Sequence, residues 1–373
     1  MNNGFTKRAT PGVQALHPYL PGKPISELER EYGVSDIVKL ASNENLLGPS
    51  TKARAAMRQA LDQVELYPDS NGFELKAVLA KRHAVDPACL TLGNGSNDVL
   101  VLLAEAFASA GDPVVISQYA FAVYPIAAQM VDAELRVARA LGVDSEMPYG
   151  HDLDAMAALV DRNTKLVFIA NPNNPTGTWL DPQRLRRFLD EVPDTTIIVV
   201  DEAYQEFTAG DAHPDVVEWM GEYPNLVVTR TFSKAFGLAG IRVGYAVSNP
   251  EIADLLNRVR QPFNVNCVAL AGARAALSDQ AWLDHVRTVN AEGLTQLREA
   301  CARWGLACAP SVANFLLIDM GRDAGPVYES LLRSAVIARP VANYGLPRHL
   351  RVSIGAARHN DAFIRAMDGV LAA

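Results

Sequence analysis

Cysteine is scarce and scattered in this chain. Cys89, Cys267, Cys301 and Cys308 are the four in 373 residues, and they form no CxxC pair and no cysteine–histidine cluster at zinc spacing. That argues against a disulfide framework or a bound metal and predicts reduced, buried thiols. Long apolar runs are missing too. The longest candidate, residues 99–110, contains Glu105 and stops at Gly111-Asp112-Pro113, short of the roughly 18 residues a membrane helix needs. The opening residues hold no apolar stretch of the kind a secretory leader carries. There is no basic excess: 34 Lys and Arg against 42 Asp and Glu leave a net charge of −8. This argues against sequence-independent nucleic-acid binding, although a local basic groove for a small anion stays open. Repeats and low-complexity tracts are absent as well. The expectation is a soluble cytoplasmic protein with no membrane or nucleic-acid partner.

What is present is an ordinary globular composition, 49% hydrophobic, 20% charged and 7% aromatic. The length predicts two or three domains. Residues 1–42, rich in Pro and Gly around His17-Pro18-Tyr19-Leu20-Pro21-Gly22, read as an arm lying on something else. From about residue 90 short Val- and Ile-rich runs alternate with helical segments. Strands are expected at 113–117, 166–170, 197–200 and 226–229, with helices at 98–108, 119–130 and 181–189. Apolar runs with helices between them predict an α/β protein with a mostly parallel sheet covered on both faces. After Asn249-Pro250 the texture changes. Amphipathic helices at 251–260 and 280–304, short strands at 315–319 and 350–354, and a last helix at 361–371 predict a smaller α+β domain. The expected division is a large domain over 43–255 and a small one over 256–373.

Four segments carry chemistry. In residues 231–244, Lys234 follows a buried strand among small residues, and Arg242 lies eight positions on. Asp201 stands at the carboxyl end of the run 197–200, where open α/β sheets place ligands, with Tyr204 three residues later. Residues 171–177, an Asn-Pro and Gly turn containing Asn174, follow another strand. Gly93-Asn94-Gly95-Ser96-Asn97 opens a helix, where free N–H groups suit a phosphate. Taken alone, each admits a plainer reading: a loop lysine, an Asp capping the next helix, a simple turn, a helix start. The glycine loop is neither a dinucleotide fingerprint nor a Walker A loop, since Asp98 takes the place of a third Gly and no Gly-Lys-Ser/Thr follows.

Together, in this order, the four segments resemble the pyridoxal-phosphate-dependent aminotransferases of fold type I, class II, over essentially the whole chain. Residues 41–49, Tyr67-Pro68-Asp69, Arg339-Pro340, residues 344–347 and residues 350–355 are similar to the histidinol-phosphate aminotransferase family. Leu46 departs from it, where a proline is usual. The resemblance implies pyridoxal 5'-phosphate as cofactor and a role for each matching residue. Lys234 is the amine that joins the cofactor and moves the proton. Asp201 pairs with the ring nitrogen. Asn174 and Tyr204 reach the ring oxygen, Phe121 stacks on the ring, and Ser96, Asn97, Ser233 and Arg242 hold the phosphate. Tyr67 is implied to reach the phosphate from a partner subunit, making the enzyme a homodimer. Arg351 is implied to grip a substrate anion, with Arg339, Tyr19 and Asn43 as further substrate contacts. The implied reaction moves an amino group between L-histidinol phosphate and 2-oxoglutarate, giving glutamate, as a step of histidine biosynthesis. The alternatives are an aromatic amino acid aminotransferase and a phospho-amino-acid decarboxylase. A cofactor-sensing transcription regulator would need an added DNA-binding domain, for which the arm is too short.

Overall fold

The computed structural model describes residues 4–18, 21–208 and 213–372. Its strands, in chain order, are β1 Val38–Lys39, β2 Leu90–Gly93, β3 Pro113–Ser117, β4 Glu134–Ala138, β5 Leu166–Ala170, β6 Ile197–Asp201, β7 Leu226–Thr231, β8 Gly244–Ser248, β9 Phe315–Asp319, β10 Val336–Ile337, β11 Arg339–Val341 and β12 Leu346–Ser353. The large sheet runs β2-β8-β7-β6-β5-β3-β4. Its strands are parallel except β8, which is antiparallel to both β2 and β7.

The central strands are apolar over most of their length because both faces are covered, and turn polar toward their carboxyl ends, at Asp201 in β6 and at residues 229–231 in β7. Ile198, Val200, Leu226 and Val228 join one apolar layer, together with Leu185 and Phe188 of the helix Pro182–Glu191. Val199, Val227 and Phe168 join the other, under the helices Ser96–Phe107 and Val123–Met130. Alternation along each strand therefore decides which polar residue emerges on which face at the carboxyl ends.

The smaller sheet has the order β11-β12-β9, all antiparallel. It shares a core with parts of the helices Gln280–Trp304, Ala324–Arg333 and Ala357–Ala372. The segment before the large sheet is tied to this smaller unit. β1 pairs in parallel with β10, and Leu28 and Ala41 pack with Leu332 and Ile337. Further upstream, Gly12 of the helix Pro11–Ala15 lies so close to the helix Val123–Met130 that a Cβ there would meet the carbonyl oxygen of Gln129.

Several boundaries differ from the sequence reading. The helix expected over 119–130 starts at Val123, because Ala120 N–H turns back to the Ser117 carbonyl and leaves Phe121 in a loop. The helix expected from 98 starts at Ser96, which puts Ser96 and Asn97 in its first turn. The helix Cys267–Leu277 and the early part of Gln280–Trp304 (Leu283, Val286) pack into the large-sheet core, whereas Leu294 and Leu297 pack into the smaller one. The long helix thus contributes its early turns to one core and its later turns to the other. An amphipathic pattern announces a buried face but not which layer buries it.

Candidate active site

The carboxyl ends of β5, β6 and β7 open into a cavity of about 410 Å³. At one end lies an anion cradle. The first N–H groups of the helix Ser96–Phe107 have no acceptors within the helix, and its dipole favours negative charge there. Arg242 reaches the same place, donating from Nη1 to Ser233 Oγ (3.2 Å) and to the Ala239 carbonyl (3.0 Å). Two glycines make the approach possible. Gly95 sits at φ +88°, with Arg242 where its Cβ would be, and a Cβ on Gly244 would run into the backbone nitrogen of Ser96.

At the other end stands Asp201, 4% exposed. Its Oδ2 accepts from Tyr124 OH at 2.8 Å and its Oδ1 from Thr229 Oγ1 at 3.0 Å. Burial pushes its carboxyl up from the usual range, and the Tyr124 and Thr229 hydrogen bonds pull it back. Lys234 follows the end of β7 and reaches the cavity between these two poles. Its Nζ donates to the Ser42 carbonyl at 3.0 Å and stands 5.8 Å from the centre of the Tyr204 ring. Desolvation first, then the cations Arg351 and Arg242, bring its amine down to about 7, against the pull of Glu44 and Asp201. A lysine held there is partly neutral near pH 7, which a nucleophilic and proton-moving amine requires.

The segment 41–43 draws the rest together. The Ala41 carbonyl accepts from Arg351 Nη2 at 2.7 Å, and the Ser42 carbonyl accepts from Lys234. Asn43, at φ +55°, donates from Nδ2 to Tyr204 OH at 2.9 Å, and its backbone N–H donates to Ser353 Oγ at 2.8 Å. Arg351 Nη1 donates to Asn174 Oδ1. Arg339 pairs with Arg351 across β11 and β12, so both side chains leave the same face of the small sheet. The Tyr204 hydroxyl is pushed up to about 12 by burial, with Arg351 opposing.

Every cofactor-binding residue expected from the sequence lines this cavity except Tyr67. Tyr67 is 82% exposed and stacks on Phe263, ring centres 4.7 Å apart. Tyr19 lies outside the described residues. Asn174 and Tyr204, expected to reach a cofactor oxygen, are hydrogen-bonded here to Arg351 and Asn43. Sequence reasoning missed Tyr124 and Thr229, the two side-chain donors to Asp201. Thr229 could have been found from the strand register; Tyr124, one apolar-face position of a helix, carries no such signal. The donor set fits pyridoxal phosphate: N–H groups and an arginine for a phosphate, a buried carboxylate for a protonated ring nitrogen, and a lysine between them. No cluster of His, Cys, Asp and Glu among the described residues could hold a metal, and none of the described helices is long and apolar enough to cross a membrane.

These features are those of an aminotransferase, and comparison with known proteins agrees. The chain matches the family described as Aminotransferase class I and II over residues 35–368, and it belongs to that family. It is 55% identical to histidinol-phosphate aminotransferase 2 of Pseudomonas aeruginosa over 99% of both chains. It is also 55% identical to histidinol-phosphate aminotransferase 2 of Methylococcus capsulatus, over 98% of this chain and 99% of that one. Among solved structures, histidinol-phosphate aminotransferase from Sinorhizobium meliloti in complex with pyridoxal-5'-phosphate superimposes with a TM-score of 0.88 at 31% identity, covering 98% of each chain.

Proposed function

We propose that the chain is a pyridoxal-phosphate-dependent aminotransferase that takes the amino group of L-histidinol phosphate and passes it to 2-oxoglutarate. The observation that carries this reading is Lys234: an amine brought to about 7, in one cavity with a buried carboxylate and an anion cradle. When bound, the cofactor supplies a carbonyl that takes up the amino group and a ring that withdraws electrons. The chain supplies everything else. Ser96, Asn97, Ser233 and Arg242 hold the phosphate. Asp201, whose carboxylate oxygens accept from Tyr124 and Thr229, accepts the ring N–H. Phe121 covers one face of the ring, and Tyr204 and Asn174 stand at its edge. Lys234 Nζ would hold the cofactor through its carbonyl carbon, with loss of water, and once the donor amine had taken its place would carry the proton off the amine-bearing carbon of the donor.

Arg351 serves both substrates. Histidinol phosphate carries a phosphate arm where glutamate carries its α-carboxylate, and a planar guanidinium accepts two oxygens of either. Arg339, on the same face one strand away, is the second cation for the larger anion. Tyr19 is the further candidate, from the arm. Asn43 holds the Tyr204 hydroxyl and the backbone that Lys234 and Arg351 lean on. Tyr67 serves the neighbouring site in a homodimer. Its 82% exposure, its stacking on Phe263 and the exposed Leu61, Val64 and Leu66 just before it support that assignment. The absence of paired cysteines among the described residues supports work in the reducing cytoplasm.

The test is a screen of half-reactions. The cofactor-loaded enzyme is mixed separately with histidinol phosphate, phenylalanine, tyrosine and glutamate, and the loss of its visible band is timed. Histidinol phosphate should bleach the band with the highest kcat/KM. Faster reaction with phenylalanine or tyrosine would replace the reading with an aromatic aminotransferase. Release of CO₂ without a keto acid would replace it with a decarboxylase.

A further inference from the structure

Behind Asp201, on the face of the large sheet away from the cavity, an arginine and a glutamate are buried in the apolar layer. Arg230 is 3% exposed and Glu202 0%. Arg230 donates to Glu202 Oε2 from both Nε (3.0 Å) and Nη2 (2.6 Å), and from Nη2 to Asp215 Oδ1 (2.7 Å). Their neighbours in sequence do the chemistry. Glu202 directly follows Asp201. Arg230 directly follows Thr229, which donates to Asp201. Asp201 and Thr229 are register partners across β6 and β7, and Glu202 N–H donates to the Thr229 carbonyl at 2.9 Å. The two strand ends are therefore joined three times: by Thr229 and Asp201 on the cavity face, by the backbone, and by Arg230 and Glu202 on the far face.

Stability does not account for the pair. Removing two charges from water costs several kcal/mol per ion, and well-packed apolar residues of similar size hold a fold as well or better. Fixed geometry does account for it. A guanidinium bonded through Nε and Nη2 to one carboxylate and through Nη2 to a second has little freedom to shift along the strand. Asp215 is anchored in turn, since its Oδ1 also caps Val217 N–H at 3.0 Å.

We propose that the Arg230–Glu202 pair, steadied by Asp215, is a positioning clamp that sets the register and spacing of the ends of β6 and β7. Through them it sets the stance of Asp201 toward the cofactor ring and of Lys234, which lies four residues beyond Arg230. The inference rests on the functional reading above.

The experiment compares the parent with an Arg230→Met/Glu202→Leu double variant and with Glu202→Gln. Four quantities are read: the melting temperature, the cofactor Kd from titration of apoenzyme, the visible circular dichroism of bound cofactor, and kcat and KM separately. The melting temperature of the double variant gives the stability cost of leaving Asp215 without Arg230, and the other three quantities are compared at a temperature where it is folded. Its cofactor dichroism should fall, and its cofactor Kd should rise and kcat fall by about tenfold or more, with KM for the amino donor little changed. Glu202→Gln, which keeps an oxygen for Arg230, should recover most of the dichroism and rate. A double variant that matches the parent in dichroism, Kd and kcat would overturn the clamp. If the double variant does not fold, Arg230→Lys decides, because a point donor cannot span the same bonds; parental dichroism and Kd in that variant would overturn the proposal as well. A parent that shows no visible band on loading would instead sink the functional reading itself, so the two failures are distinguishable.

Discussion

Removing one hydroxyl, in Tyr124→Phe, tests how the electron-withdrawing end of the site is held. Tyr124 is fully buried and its ring stacks on Phe168, centres 5.0 Å apart and planes within 9°. Phenylalanine keeps that packing, so the change is confined to the hydroxyl that donates to Asp201 Oδ2 at 2.8 Å. A hydrogen bond to a charged group contributes about 1.5–3 kcal/mol. Without it the buried carboxylate is less well held as an anion, and its ionisation moves further up. A weaker anion pairs less well with a protonated ring nitrogen. The expected cost in kcat/KM for the amino donor is about 10- to 150-fold, with a weaker cofactor Kd. Stopped-flow half-reactions and apoenzyme titration measure both. Thr196→Val is the control. Thr196 is buried just before β6 and donates to the Thr164 carbonyl at 2.9 Å, so it should lose stability and keep its rate. If Tyr124→Phe stays within about twofold of the parent in both rate and Kd, the assignment of Asp201 as an anion sustained by its donors is wrong.

Lys234 gives a pH signature in the apoenzyme. Its folded value, about 7, lies below the ordinary 10.5, so between those values the unfolded chain binds the extra proton and stability rises with pH. Relative to Lys234→Met, the parent should gain up to about 2 kcal/mol from pH 7 to 9 in urea titrations, and a flat difference would contradict the depressed amine. Gly244→Ala should drive a methyl into the Ser96 backbone and raise the cofactor Kd by about tenfold or more, read by equilibrium titration; an unchanged Kd would remove the cradle from phosphate binding. Arg351→Ala should slow both the glutamate and histidinol phosphate half-reactions by about 10- to 150-fold, and loss with only one donor would show that the two anions do not share it. Mixing Tyr67→Phe with Lys234→Ala under subunit exchange should restore activity above either parent, because each hybrid holds one intact site; no recovery despite exchange would place Tyr67 outside the partner's site.

Much of the site was legible in the sequence because its residues sit where local rules apply. A polar residue that ends a Val/Ile run marks the carboxyl edge of a strand, which is how Asp201 stood out, and glycines before a helix start marked the anion cradle. The fourteen residues around Lys234 combine both signals. Other parts were not legible. Tyr124 is spaced like a core residue of its helix and packs like one, and only its hydroxyl touches Asp201. Phe121 reads as helical by composition, but a turn at Ser117–Ala120 puts it in the loop facing the cavity.

The sequence by itself determined the alternation of strand and helix, the family, and the identity of the chemical groups, since periodicity and local motifs depend on residues a few positions apart. Only the tertiary structure decided which groups meet. The backbone of residues 41–43 must lie against a loop nearly 200 positions later for Ser42 to accept from Lys234. Arg351 must arrive from the small sheet to meet Asn174 and, with burial, to lower the lysine. The long helix Gln280–Trp304 had to choose a different core for each half. Such choices turn on burial and charge proximity, which arise from packing elements far apart in the chain, and no local pattern encodes them.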